Sequence, residues 1–345
     1  MGHRVNSMFY GKVQRLLAAC VVASVAVAAF PGKGAAQSRY ACSALGSAPV
    51  PVVEGEDGMF FRVESDMLSD TRISWPMIGE ITAVSKALKD RGSRLVVVPL
   101  PTKGQVFADA MGGHGEVYGF NETLSLRLYS ETVSRLAAEG VETVDALAAL
   151  SDQSAGRTMF ATDPRLTNAG ILQLASAVAP LIGQGTSGRT ATPAETVLVP
   201  SIQHQQIQSR CNVTLPQPET QRFDTVSLTT GAVGSDVVVI DAGDMAGQGL
   251  MTEALFEAAL SQNVTHVTGD HPLQALAQYI AGDETPGGLP QAVVWVVPVT
   301  TDLAAYGLRP FREVSGLVKR AWRVGPACAV TQTADGFDVD LAGTA

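Results

Sequence analysis

The chain has 345 residues, 46% hydrophobic and 17% charged, a balance that suits one large globular domain or two small ones with an ample core and excludes disorder as the default state. With 24 Lys and Arg against 33 Asp and Glu, the formal net charge is −9. Nucleic acid is thereby excluded as a default partner, and a polyanion would need a local basic patch.

The first 36 residues carry Arg4, Lys12 and Arg15 but no acid, then run apolar from Leu16 to Phe30 and reach the small residues Gly34, Ala35 and Ala36. This order of charge, apolar stretch and small-residue exit predicts an export signal cleaved after Ala36. Leu17-Ala18-Ala19-Cys20 imitates a lipoprotein cleavage box, but the apolar segment follows Cys20 instead of preceding it. Removal of four bases and no acid would take the balance from −9 to −13. No later segment is long enough to span a bilayer.

Beyond the signal, Gly55-Glu56-Asp57-Gly58 predicts a turn before a short strand at Met59–Val63. Residues 76–90 place Ile78, Ile81, Val84, Ala87 and Leu88 on one helical face. The continuous apolar run 94–101 reads as a buried strand of a mostly parallel sheet. A second amphipathic helix covers Leu124–Glu139, with a short strand and helical turn after it. Asn168–Ile182 forms another helix, for which Thr167 can cap the free backbone N–H groups. Residues 183–222, rich in Gly, Thr, Pro and Gln, are expected to be a long surface excursion that builds little core.

Further strands are expected at 236–241, 263–268 and 292–299, with helices at 250–260 and 272–280 between them. Strands that alternate with helices predict an α/β sandwich with a mostly parallel central sheet, whose sites lie at the carboxyl ends of the strands. No fixed-period repeat and no boundary between two comparable lobes is visible, which disfavours a solute-binding module. The expected organisation is a signal over residues 1–36 and one domain over 37–345.

A serine hydrolase or acyltransferase needs a hydroxyl at a sharp strand-to-helix turn, a base within reach and a carboxylate to orient that base. The strand 236–241 offers such a turn, but its tip, Asp241-Ala242-Gly243-Asp244, contains no serine. Ser235 lies at the opposite end of that strand, so an active centre would have to bring a serine from elsewhere, such as Ser201 or Ser235, to Asp163. Beyond the signal the possible bases are His114, His204, His266 and His271. None has a metal-ligand spacing and there is no Cys-x-x-Cys, so neither a metal nor another cofactor is expected. His271, between Gly269-Asp270 and Pro272, is either a helix-entry residue or a base. Asp163, in FATDPRLTNAG, either starts an ordinary Asp-Pro turn or belongs to a damaged acid–base pair.

Seven separated blocks resemble, in their order, the alginate O-acetyltransferase family of periplasmic SGNH-hydrolase-like proteins, the AlgX and AlgJ type. They are GEDGMFFR, RLVVVPLPTKGQVF, AAEGVETVDALAAL, ATDPRLTNAG, VVVIDAGDMAGQGL, VTGDHPLQALAQYI and AVVWVVPVTTDL. The resemblance implies a flavodoxin-like core in which a catalytic Asp-x-His precedes a serine, and acetyl transfer onto a secreted polysaccharide. Its aspartate falls on Asp163, its histidine on Arg165 and its serine on or beside Gly243. Trp295 and Pro298 are kept, the acid expected after the tryptophan is Val296, and the lysine after the proline-rich strand is kept as Lys103.

Arginine stays protonated near neutral pH and glycine offers no nucleophile, so a degenerate centre is expected, serving exopolysaccharide O-acetylation by binding glycan or scaffolding other periplasmic acetylation or export proteins. An active acetyltransferase or acetylesterase with a non-standard site is the alternative. Candidate binding residues are Lys103, Asp241, Asp244, His271 and Trp295, with Arg165 and Lys103 expected to hold an anion. Arg320 and Trp322 join them from the basic run 309–323, which also reads as a solvated amphipathic helix. The resemblance also implies a Cys42–Cys211 disulfide, leaving Cys328 free or paired with another chain.

Overall fold

The apolar runs singled out above form the centre of a five-stranded parallel sheet in the computed structural model. The structure describes residues 38–183, 185, 189–226, 236–281, 289–303, 311, 312 and 316, and the backbone of 328–333 and 336–341. The proposed signal, Arg320 and Trp322 lie outside them.

The chain opens with a hairpin of β1 (Val52–Glu54) and β2 (Phe60–Arg62), joined by the turn at 55–58, where Asp57 and Gly58 take positive φ. Helix α1 (Trp75–Lys89) buries Met77, Ile78, Ile81, Val84, Ala87 and Leu88 and leads into β3 (Arg94–Leu100). Three one-turn helices follow, α2 (Lys103–Val106), α3 (Ala108–Met111) and α4 (His114–Val117), then the long α5 (Glu122–Ala138). β4 (Glu142–Thr143) and α6 (Ala146–Ser151) precede α7 (Asn168–Ile182). Thr167 accepts from the Gly170 N–H, the cap its hydroxyl predicts.

The second half holds β5 (Thr190–Leu198), α8 (Ile202–Gln208), β6 (Glu219–Val226), β7 (Val237–Asp241), α9 (Thr252–Leu260), β8 (Val264–Thr268), α10 (Pro272–Ala281) and β9 (Ala292–Pro298). A final hairpin pairs β10 (Cys328–Thr333) with β11 (Gly336–Leu341).

The sheet order is β4-β3-β9-β7-β8. The chain builds one edge, crosses to the other, and returns to insert β9 between its first and third strands. Helices cover both faces, which is why the central strands read as unbroken apolar runs. Val96, Val98, Val237, Val239 and Val294 pack with α7 and α9, while Leu95, Val97, Val238, Ile240, Val293 and Trp295 pack with α1 and α10. Each such side chain, fully buried, contributes roughly 1.5–3 kcal/mol relative to exposure. The insertion of β9 brings the carboxyl ends of β3, β9 and β7 side by side.

The expected surface excursion over 183–222 is more ordered than its composition suggested. β5 and β6 pair antiparallel in a separate ribbon, with a register shift between Pro193 and Thr196. Its outer positions are exposed and mostly polar, apart from Leu198 and Val226, which is what the composition registers, but Phe223 enters the main core. Asn168, at the start of α7, also binds this ribbon, its N–H to the Thr220 hydroxyl and its side-chain amide to the Gln221 carbonyl.

The Cys42–Cys211 disulfide closes a sequence separation of 169 residues and ties the N-terminal segment to the end of α8. Flanking backbone bonds, Ser43 N to Arg210 O and Asn212 N to Ala41 O, fix that junction. Cys328 is placed on β10 by its backbone. No helix among the described residues is long and apolar enough to cross a membrane.

Candidate functional site

Three segments meet at the carboxyl ends of the sheet. The first follows β3, where Thr102 and Gln105 form a reciprocal capping box at the start of α2. That box fixes Lys103 directly below the strand end. Lys103 is 2% exposed and its ammonium donates to the Ala161 carbonyl at 2.7 Å, with Asp163 O at 3.5 Å. Burial depresses its pKa to about 7, with the Arg62 and Arg157 charges adding to the fall and Asp66 and Asp163 opposing it.

The second segment is the loop over 158–167. Its neck is closed by backbone bonds from Phe160 N to Arg165 O and from Thr167 N to Thr158 O. Within it the Asp163 carboxylate accepts from the Arg165 backbone N–H at 2.9 Å, so the turn reading of this stretch holds. Asp163 is also gripped in a two-pronged ion pair, Arg165 Nε to Oδ1 at 2.9 Å and Nη2 to Oδ2 at 2.8 Å. Burial by itself would raise the Asp163 carboxyl, but hydrogen bonds from Arg165 and from the Ser201 hydroxyl, together with the Arg165 charge, hold it below the usual carboxylate range.

The third segment is the turn after β7. Leu166 N donates to Asp244 O at 3.0 Å and Arg165 Nη1 to Ala246 O at 3.2 Å, stitching the Asp163 loop to this turn. Arg165 Nη2 also donates to Pro200 O at 2.8 Å, just before α8. Arg165 therefore ties the Asp163 loop both to the β7 turn and to the chain just before α8. Gly243 has φ +96° and a Cβ placed on it would meet nothing within 4 Å. A side chain at that position would have room but would sit in a strained backbone.

Several expected binding residues are placed otherwise. Arg165 and Lys103 are committed to protein carbonyls and carboxylates, so the anion-holding role expected of them is corrected. Asp241 is fully buried, accepting from Met245 N at 2.8 Å with His266 Nε2 3.2 Å away, and supports the turn instead of facing a ligand. Trp295 is also fully buried, donating from Nε1 to Pro272 O and meeting Phe311 edge-on at 6.1 Å. Its ring is a core element, unavailable to a sugar. His271 Nδ1 accepts from Leu273 N, the geometry of a helix-entry residue, and burial lowers its pKa.

Asp244 is half-buried. Burial and then the nearby Asp241 raise its carboxyl pKa to about 6, against the pull of Arg62. Arg62 itself is paired with Asp66 at 2.7 Å. The acids and bases of this end of the sheet thus largely neutralise one another. Among the described residues no group of three or more His, Cys, Asp and Glu side chains could hold a metal ion.

Ser201 and His204, named separately above as a possible serine and a possible base, are brought to the Asp163 loop by α8, a helix that sequence reasoning did not expect within 183–222. Ser201 caps that helix by accepting from His204 N at 3.0 Å while its hydroxyl reaches Asp163. His204 Nδ1 lies 2.9 Å from the Thr162 hydroxyl, and burial lowers the His204 pKa. The signal was the Ser-x-x-His spacing at a helix start, inside a tract set aside as surface.

Order, parallel register and the meeting of an Asp loop with a strand-end turn define an SGNH-hydrolase-like α/β domain. The chain belongs to the family described as SGNH hydrolase-like domain, acetyltransferase AlgX, whose sequence profile matches residues 52–299. Over 199 residues it is 28% identical to the alginate biosynthesis protein AlgX of Pseudomonas aeruginosa, a match covering 53% of this chain and 41% of that protein. The chain thus matches less than half the length of that relative. In fold it is similar to the solved structure of Pseudomonas aeruginosa AlgX, with a TM-score of 0.66 and 19% identity over 87% of this chain and 72% of that one. It is similar also to the O-acetyltransferase domain of Pseudomonas putida AlgJ, with a TM-score of 0.60 and 19% identity over 77% and 98%.

Proposed function

We propose that this protein is an exported, periplasmic component of exopolysaccharide biosynthesis that serves O-acetylation of an alginate-like glycan by binding the glycan or scaffolding other proteins of the machinery, without forming an acetyl-enzyme itself. The observation that carries the reading is the closed Asp163–Arg165 pair beside Gly243. A guanidinium cannot take a proton at neutral pH, and the turn position offers no nucleophile. The Cys42–Cys211 bridge supports an oxidising compartment, and the charge and apolar order of residues 1–36 supports export.

The second reading is an active acetyltransferase or acetylesterase that uses Ser201, favoured by its bond to Asp163. Against it, Ser201 is 6% exposed and the carboxylate it meets is a weak base held by Arg165. Incubation with an activated acetyl ester followed by peptide mass spectrometry separates the two. No acetyl-serine is expected, and acetylation of Ser201 would overturn the non-catalytic reading.

A further inference from the structure

Beside the Asp163 loop lies a groove of about 370 Å3. One wall is the stretch 155–162 and the other is formed by 216–221 with Thr196 of β5. Its volume falls in the range of small-ligand sites, and its lining mixes threonine hydroxyls, glutamine amides and prolines with apolar alanine, methionine and phenylalanine side chains. Phe160 lies in its floor, and Thr162 connects it to His204 and so to the Asp163 cluster.

Two charged side chains line it, Arg157 and Glu219, both exposed. The Arg157 guanidinium has no acidic partner among the described residues, a state it shares with Arg39, Arg91, Arg127 and Arg210, but of these five only Arg157 lines the groove. Its backbone is held in place, since the Thr167 hydroxyl donates to the Arg157 carbonyl. Its charge also helps depress the Lys103 ammonium, which places it within electrostatic reach of the Asp163 site.

From these observations we infer that the groove headed by Arg157 binds a carboxylate-bearing glycan segment, with the guanidinium taking the sugar carboxylate and Glu219 accepting from sugar hydroxyls. Arginine presents only donors in a planar fork that matches a carboxylate, and an ionised glutamate presents only acceptors. A uronate residue offers both counterparts on one ring, whereas a neutral hexose leaves the fork without an anion. The inference rests on the glycan-binding reading given above and moves its anion contact from Arg165 and Lys103 to Arg157.

The test is calorimetric titration of the full oxidised protein with uronate oligosaccharides and with neutral hexose oligosaccharides of equal length. Arg157→Gln is expected to weaken uronate binding about tenfold or more, the scale of one lost charge-assisted hydrogen bond, with thermal stability and the weak neutral-sugar binding unchanged. Glu219→Gln is expected to weaken both sugars by a similar, smaller factor. Uronate binding that survives Arg157→Gln intact would overturn the groove assignment and leave the glycan-binding reading standing. If the unmodified protein bound neither sugar, glycan binding itself would fail, and the groove proposal with it.

Discussion

Gly247 and Arg165 are fitted to one another: a Cβ on Gly247 would stand 2.3 Å from Arg165 Nη1. The arginine can reach the Ala246 and Pro200 carbonyls only because the turn passes it as bare backbone. Gly247→Ala is therefore expected to expel the guanidinium, destabilising by about 2–3 kcal/mol from lost bonds and strained φ together. Gly243→Ala meets no such neighbour and is expected to cost about 1 kcal/mol, from backbone conformation alone. Urea denaturation of the two variants checks the order, and equal losses would break the pairing argument.

Arg165→Ala leaves a nearly buried carboxylate without its cation, and the expected loss is about 3 kcal/mol. In Asp163→Asn the amide keeps an acceptor for the Arg165 N–H groups, so a smaller loss is expected. The double variant should lose less than the sum of the singles by more than 1 kcal/mol, because the two side chains form one unit. Arg165→Lys should not restore stability, since an ammonium cannot bridge both carboxylate oxygens and two carbonyls in one plane. A double-mutant cycle in urea decides it.

Asp244 gives the pH dependence a definite sign. Its folded pKa, about 6, lies above the unfolded 3.8, so the folded state binds the proton more tightly. Its favourable contribution is complete below about pH 4 and is lost as pH rises through 6. Asp244→Asn is thus expected to stabilise the protein at pH 7.5, by up to about 2 kcal/mol after allowing for partial exposure, and to change little at pH 4. Thermal melts at the two pH values test this; a variant less stable at pH 7.5 would contradict it.

Restoring a nucleophile alone is expected to do nothing. In Gly243→Ser the hydroxyl would have room, yet the position of the base would still hold a protonated guanidinium. Intact-mass measurement after exposure to an activated acetyl ester should therefore show no labelling of the introduced serine. Stable labelling in that single variant would mean that another group serves as base.

The layered sheet was legible because buried parallel strands announce themselves as apolar runs, as at 94–100, 237–241 and 292–298. Thr167 was legible for a local reason, a hydroxyl directly before a periodic helix. What stayed hidden depended on distant partners. Nothing local in Arg165 shows that its fork closes on Pro200 and Ala246, or in Trp295 that its N–H is used by Pro272. The ribbon of β5 and β6 escaped notice because its outward residues outnumber the few, such as Phe223, that enter the core.

The disulfide acquires a meaning from its position along α8. Cys211 follows the last turn of that helix, and Pro200 and Ser201, which hold Arg165 and Asp163, precede its first. The mechanical path from the sulfur bridge to the charged pair is one helix of two turns. In a chain-entropy view the bridge contributes about 5 kcal/mol, and much of that restraint acts where the rim of the site is anchored. Formation of the disulfide is thus also the step that pins the rim, so a chain with both cysteines reduced would carry every residue of the site without the brace that holds them in register.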